Sequence, residues 1–324
     1  MRCHVNRVVA RGVGVAAVLK ISMLAYAQQP AQHLPVVGEY GAVLAYSIVL
    51  DGDYACVGTT TGVEILKVTN PAKIEKLSSI DAFSDSRCIG VGGRHAYVTS
   101  SSDGFIILDV SNRSSPAIVG RYRGRTRYSD GQVQGRYAYT VLSTGGLDVI
   151  DIADPARPTL AGTVSFTGAD GRVRLRGQTA FVSPGGGDSG GVRIVDVSQP
   201  TTPRVVGEVA IEGPGGLIAL VNGHLAVATA RGVCLYDLSS PRAPVLRKRL
   251  PGRLSDICSD GDRTLFVHSR GLTTVFDLSS VESPRVLGTI GAYFHDLARR
   301  GDLVFGVMTG MKVYGLGQPA APSR

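Results

Sequence analysis

A short phrase of apolar residues ending in a turn recurs seven times along this chain, and its spacing constrains the fold more than any single residue does. It reads V-E-I-L-K-V-T-N-P from Val63, F-I-I-L-D-V-S-N from Phe105, L-D-V-I-D-I-A-D-P from Leu147 and V-R-I-V-D-V-S-Q-P from Val192. It returns as V-C-L-Y-D-L-S-S-P from Val233, T-T-V-F-D-L-S-S-V from Thr273 and M-K-V-Y-G-L-G from Met311. Superposition puts Lys67, Asp109, Asp151, Asp196, Asp237, Asp277 and Gly315 in one column, with steps of 42, 42, 45, 41, 40 and 38 residues. A nearly constant period in the forties marks a repeat architecture, in which each unit buries its apolar faces only against its neighbours.

The content of each unit selects the architecture. Upstream of the phrase lies a second apolar run opened by a glycine turn, as in Gly52 to Val57, Gly93 to Val98, Gly135 to Thr140 and Gly301 to Phe305. A shorter run such as Arg87 to Val91 precedes that glycine, and a proline-marked turn leads from the phrase into a fourth run such as Ala117 to Tyr122. Four short β-rich runs per unit, with no sustained helical period, predict an all-β chain: a seven-bladed β-propeller of four-stranded antiparallel blades. The last unit ends at Gly317 after three strands, while Pro35-Val36-Val37-Gly38-Glu39-Tyr40 matches the outer-strand text Pro203 to Glu208. The ring is therefore expected to close through an N-terminal strand, Leu34 to Gly41. One propeller domain over 34–317 follows, with a disordered tail over 318–324.

Residues 1–27 read as a secretion signal and 28–33 as a short mature lead. Arg2, Arg7 and Arg11 precede an apolar run from Val13, and Ala25-Tyr26-Ala27 supplies the small-x-small cleavage pattern, so an extracytoplasmic location, periplasmic or secreted, is expected. The apolar run is broken by Lys20 and falls short of the roughly 20 residues of a spanning helix, so no transmembrane span is expected after cleavage. The formal charge of +8 falls to +4 without the signal, which implies no nucleic-acid partner, and a monomer is expected. Cys56, Cys88, Cys234 and Cys258 remain in a compartment that permits disulfides, but each lies within strand text without a Cys-x-x-Cys spacing. Buried thiols packing as small hydrophobes are expected, and no metal site.

The phrases from Leu147 to Pro158 and from Val192 to Pro203 resemble the LVIVD-repeat family of bacterial propellers, over about Leu34 to Gly317. The resemblance implies a fold and an extracytoplasmic setting and names no reaction or cofactor. Departures are Lys67 in the first unit and Gly315 in the last. The absence of tryptophan argues against tryptophan-aspartate and tryptophan-docking quinoprotein repeats.

The column aspartates precede Ser or Ala by two residues and usually Pro by four, which is turn chemistry rather than a site. Gly187-Asp188-Ser189-Gly190-Gly191 imitates a serine-protease nucleophile, but no histidine motif accompanies it, so it reads as a glycine-rich hairpin tip. A better site lies five residues before Gly52, Gly93, Gly135, Gly261 and Gly301, where Ser47, Cys88, Asp130, Asp256 and Asp296 begin the strand nearest the channel. With loop residues Tyr46, Arg87, Arg127, Tyr128, Asp170 and His295, they form a candidate ligand site at the channel mouth, led by Tyr46, Arg87, Tyr128, Asp130, Asp256, His295 and Asp296. Arg121, Arg123, Arg125 and Arg127 form a candidate strip for a protein or glycan partner. The function expected is an exported binding scaffold. The alternative is a propeller enzyme of hydrolase or lyase type, with His295 as base or metal ligand and Asp296 beside it.

Overall fold

The computed structural model describes residues 32–316 apart from 125, 169–170, 184, 186–190, 212–216, 253–255 and 270. The signal, most of the lead, the tail, Arg125, Asp170 and the glycine-rich tip at Gly187–Gly190 lie outside the described residues. Every regular element is a strand. The first unit comprises β1 (Val36–Asp51), β2 (Tyr54–Thr59), β3 (Val63–Lys67) and β4 (Glu75–Ile80); the second β5 (Arg87–Gly92), β6 (His95–Ser100), β7 (Gly104–Asp109) and β8 (Ala117–Tyr122). The third comprises β9 (Tyr128–Gln134), β10 (Tyr137–Leu142), β11 (Leu147–Asp151) and β12 (Thr159–Val164); the fourth β13 (Val173–Arg176), β14 (Thr179–Val182), β15 (Val192–Asp196) and β16 (Arg204–Val209). The fifth comprises β17 (Ile218–Val221), β18 (His224–Thr229), β19 (Gly232–Asp237) and β20 (Val245–Pro251); the sixth β21 (Asp256–Ser259), β22 (Thr264–Ser269), β23 (Leu272–Asp277) and β24 (Arg285–Ile290). The chain ends with β25 (Asp296–Arg300) and β26 (Leu303–Gly315).

Units two to six are four-stranded antiparallel sheets in sequence order, and the remaining strands form one six-stranded sheet, β25-β26-β1-β2-β3-β4. In that sheet the first and last described strands meet. Val36, Gly38, Glu39 and Tyr40 pair with Tyr314, Val313, Lys312 and Met311, whereas Ile48 to Asp51 pair with Val57 to Tyr54. Strand β1 thus edges the last unit with its first half and begins the first unit with its second. The Leu316 N–H donates to Asp302 O at 2.7 Å, the same return that Val68 makes to Asp53 at 2.8 Å, so the last phrase folds back as the others do. Ahead of β1, Leu34 N–H donates to Thr289 O on β24, and Leu34 is buried with Phe266, Phe294 and Tyr314.

Strand alternation explains why both faces of each sheet are apolar. Phe105, Ile106, Ile107 and Leu108 of β7 are all fully buried. Ile106 and Leu108 pack with Ile65, Val63 and Cys56 of the first unit, while Phe105 and Ile107 pack with Ala138 and Ile150 of the third. Successive side chains point to opposite faces, so a run without polar interruptions can serve two neighbours. The same division produces seven apolar clusters among the described residues, and each straddles two consecutive units. The innermost strands β1, β5, β9, β13, β17, β21 and β25 contact one another in that order, and β25 contacts β1.

The repeated phrase also repeats its irregularities. Register shifts fall at Ile65/Leu66, Ile107/Leu108, Val149/Ile150, Ile194/Val195, Leu235/Tyr236 and Val275/Phe276, a bulge just before each column residue. The column aspartates then accept the N–H two residues on: Ser111 to Asp109 at 2.9 Å, Ala153 to Asp151 at 2.9 Å, Ser198 to Asp196 at 3.0 Å, Ser239 to Asp237 at 2.7 Å and Ser279 to Asp277 at 2.8 Å. Hydrogen bonds from Ser198 hold the Asp196 carboxyl down at about 2, helped by Arg204 and Arg242. Turn chemistry accounts for the column.

One sequence expectation is corrected. Cys56 and Cys88 are not free thiols but a disulfide with Cα atoms 6.4 Å apart, joining β2 of the first unit to β5 of the second. Cys234 and Cys258 are free and buried. The pairing escapes the sequence because its partners are 32 residues apart in different units, and only the packing of one sheet on the next brings them together.

Candidate functional site

The innermost strands surround a cavity of about 360 Å³, lined among others by Ser47, Arg87, Cys88, Asp130, Arg172, Arg174, Asp260, His295, Asp296 and Arg299. Sequence reasoning singled out the residue five places before each hairpin glycine, and the structure gives that position a defined task. Ser47 Oγ accepts Cys88 N–H at 2.7 Å, Asp130 Oδ2 accepts Val173 N–H at 3.0 Å and Asp296 Oδ2 accepts Ile48 N–H at 3.0 Å. Each of these bonds runs from one unit to the next. Innermost strands are too far apart for a backbone ladder, so short polar side chains bridge them and satisfy the exposed N–H groups.

The residue that sequence reasoning missed is Arg172. It stands five places before Gly177, in the same column, and that glycine was the unread signal. Its guanidinium donates to Asp256 Oδ2 at 2.9 Å and to Ile257 O at 2.8 Å, reaching from the fourth unit to the sixth. The fifth unit, whose turn is Asn222-Gly223, has Leu217 at that position and offers no acceptor. Burial opposes the charge on Arg172, but the carboxylates around it, Asp256 foremost and then Asp130, overcome it and hold the guanidinium ionised. Lower down, Arg174 pairs with Asp130 at 2.8 Å and Arg299 with Asp260 at 3.5 Å. The walls are therefore charge-matched. Burial raises the pKa of Asp296, against the N–H of Ile48 and the positive field of Arg172 and Arg174. Burial likewise pushes the Cys258 thiol well above its ordinary range, with Asp296 and Asp256 adding to the effect.

At the mouth the chemistry changes from paired charges to aromatic rings. Tyr46 and His295 lie 5.5 Å apart between ring centroids, His295 meets Tyr293 edge-on at 5.7 Å, and the Arg87 guanidinium lies 5.7 Å from the Tyr46 ring. Arg87 donates to Tyr46 O at 3.1 Å and, among the described residues, has no carboxylate within ion-pair distance. The Tyr46 hydroxyl is raised by burial and by Asp85. His295 engages Ala45 O through Nδ1 at 2.8 Å, which leaves Nε2 for another partner.

The structure thus gathers Tyr46, Arg87, Asp130, Asp256, His295 and Asp296 around the channel but separates Tyr128 from them. Tyr128 is buried between the second and third units, with its hydroxyl on Asp148 Oδ2 at 2.9 Å. In the basic strip, Arg121 and Arg123 both turn to Asp103, while Arg127 is exposed. His295 and Asp296, adjacent in sequence, do not engage each other: the ring goes to Ala45 O and the carboxylate to Ile48 and Leu297 N–H. Among the described residues no group of three or more His, Cys, Asp or Glu is arranged to hold a metal ion, and no helix is long and apolar enough to cross a membrane.

Four-stranded sheets repeated around a charge-matched channel define a repeat protein of the β-propeller class. A family model described as the LVIVD repeat matches residues 44–81, 85–124, 129–165 and 172–211, and the chain belongs to the LVIVD-repeat family. Beyond residue 211 the same phrase and the same sheet order continue in the fifth and sixth units. Among solved structures, U3-55K superposes with TM-score 0.67 at 14% identity, covering 88% of this chain and 99% of that one. The RRP9 WD40 repeats superpose with TM-score 0.67 at 14% identity, covering 88% and 98%. A hydrazine synthase of Kuenenia stuttgartiensis reaches 0.66 at 13% identity, covering 89% and 98%. At such identities the likeness concerns the fold alone. No curated protein matches the chain at a significant level.

Proposed function

We propose that this chain is an exported scaffold, a closed ring of seven units that holds a small polar ligand at its channel mouth or presents its loops to a protein or glycan partner, without catalysing a reaction. The observation that carries the ligand reading is the change of chemistry along the channel. The wall arginines Arg172, Arg174 and Arg299 are matched by carboxylates, whereas Arg87, Tyr46, Tyr293 and His295 form a mouth with unused hydrogen-bonding capacity. A concave site with a few convergent polar groups and aromatic walls is the ordinary form of a small-molecule site. Seven units in a ring are supported by the cycle of contacts among innermost strands. Export is supported by the signal-like N-terminus and by the Cys56–Cys88 disulfide, a bond that persists in oxidising compartments.

The catalytic alternative is the weaker reading, because Asp296, the carboxylate expected to work with His295, is spent on the Ile48 and Leu297 N–H groups. The deciding experiment is mass spectrometry of material released on denaturing protein purified from the exported fraction. A bound small molecule is expected with the wild type and absent from His295→Ala/Asp296→Ala. Equal release from both proteins would remove the ligand from the mouth, and partner capture lost on changing Arg121, Arg123 and Arg127 would move the function to the rim. The same spectrum reads the mature N-terminus, expected at Gln28; an exported chain retaining Met1 would contradict cleavage.

A further inference from the structure

The internal repeat serves as its own reference: a position filled alike in most units shows what the blade uses by default, and the units that depart from it show what their own corner carries instead, as Lys248 and Val281 do between the fifth and sixth units. Three such departures meet at one corner. Lys67 stands in the column that carries aspartate in the next five units. Arg113 stands where Pro71, Pro155, Pro200 and Pro241 begin the following turn in other units. Ser78 stands where Gly120, Gly162, Gly207 and Gly288 lie in the outer strands.

The glycine matters because the next unit's turn presses on it. A Cβ at Gly120 would fall 1.9 Å from Pro155 O, and one at Gly162 would fall 2.4 Å from Pro200 O. At the departing corner the clash is replaced by a bond, Ser78 Oγ donating to Arg113 O at 2.6 Å. The turn therefore keeps its place without proline and gains a long cationic side chain.

That side chain and Lys67 line one cleft of about 680 Å³ together with Tyr54, Arg94, Ser111, Asn112 and Ser114. Antiparallel order places it at the end of the ring opposite the channel mouth, where first-strand hairpins and third-to-fourth turns gather. Arg113 is held over the Tyr54 ring at 4.4 Å and paired with Asp51. Arg94 is paired with Asp109 at 2.6 Å. Among the described residues Lys67 makes no ion pair, although its charge reaches Glu75 across the ladder. The acid placed to meet it within its own hairpin, Asp53, lies 3.6 Å from Arg300 of the last unit, and Glu75 across the ladder pairs with Lys73 at 3.0 Å. Three cations thus line the cleft, two of them paired with Asp51 and Asp109 outside its lining, and Lys67 supplies the surplus charge.

We propose that this cleft binds a single oxyanion group, sulfate or phosphate. An ammonium on a flexible stem suits an oxyanion as a point charge, and two preset guanidinium forks beside it supply directed donors. The proposal is independent of the channel-mouth reading.

Dextran sulfate is the probe, with unmodified dextran as the neutral counterpart, titrated calorimetrically into the full mature chain at physiological salt. Binding of the sulfated polymer and none of the neutral one is expected. Lys67→Asp with Arg113→Pro restores the side chains that other units carry, so the variant should fold, and binding should weaken at least about tenfold. Lys67→Met, which adds no new charge, is read alongside it in case the restored turn misfolds. Lys312→Asp makes the charge change of Lys67→Asp alone on β26, away from the cleft, and should alter binding less than about twofold. Equal loss from Lys312→Asp, or retained affinity in the Lys67 variants, would mean diffuse attraction and would overturn the site. Competition by inorganic sulfate or by inorganic phosphate identifies which oxyanion is preferred; competition by neither would overturn the proposal as well.

Discussion

His268 shows how one buried side chain can set the pH range of the fold. It is 2% exposed, hydrogen-bonded through Nδ1 to Thr273 Oγ1 at 2.6 Å, with Tyr293 at 5.2 Å and Phe294 at 6.5 Å. Burial pushes its pKa down to about 4; the Asp256 carboxylate opposes the shift and Arg172 reinforces it. The folded protein therefore prefers the neutral ring, while the unfolded chain takes up a proton below its ordinary value of about 6.5. Fewer protons on the folded state mean that stability falls as pH drops from about 6.5 towards 4, by up to roughly 3 kcal/mol. The column aspartates act in a separate window, because their lowered pKa values contribute stability above about pH 4 that is lost as pH falls through the folded values. Asp296, raised by burial, works in the opposite sense and gains stability on protonation. Urea midpoints at about pH 7 and about pH 4.5 should differ in the wild type and converge in His268→Asn. An undiminished difference in the variant would assign the pH dependence elsewhere.

At the scale of elements, the phrase and its turns were legible because their causes are local. A bulge, an acceptor carboxylate and a proline follow one another within a few residues, so each unit declares its third strand and the turn after it. What joins one unit to another was less legible. The sequence places Asp130 and Asp296 in a candidate ligand site at the channel mouth, whereas each spends an oxygen on the neighbouring strand's N–H. Tyr128 was placed at the mouth because it adjoins Asp130, but strand alternation and a bulge at Val141/Leu142 turn it between sheets. Arg172 lay in the same column as the aspartates and became visible only when its long side chain was seen to cross to the sixth unit. The Cys56–Cys88 bond belongs to the same class of contact, and it tests the packing of the first unit on the second. Closing a loop of 32 residues restricts the unfolded chain by roughly 3–4 kcal/mol in the loop-entropy treatment. Cys56→Ala/Cys88→Ala should lower the unfolding free energy by about that amount while far-ultraviolet dichroism stays that of a β protein. Unchanged stability would show that the units pack as firmly without their covalent tie.

For the whole molecule, the decisive feature is that no unit can bury both faces alone. Seven apolar clusters shared between consecutive units make stability a property of the arrangement rather than of any sheet. A linear stack would expose two such faces; in the ring we propose, the last unit packs its face on the first and takes the first half of β1 as its edge strand. The channel follows from the same geometry: strands that converge must bridge by side chains, so the polar lining is first a structural device. The account rests most heavily on that shared strand. Native-state hydrogen exchange, read by mass spectrometry on peptides spanning Val36–Tyr40 and Met311–Tyr314, tests it directly. Both should exchange together and as slowly as the core phrase Phe105–Leu108, because opening either requires opening the ring. Exchange of Val36–Tyr40 at the rate of unstructured chain, with Phe105–Leu108 still protected, would contradict the closure.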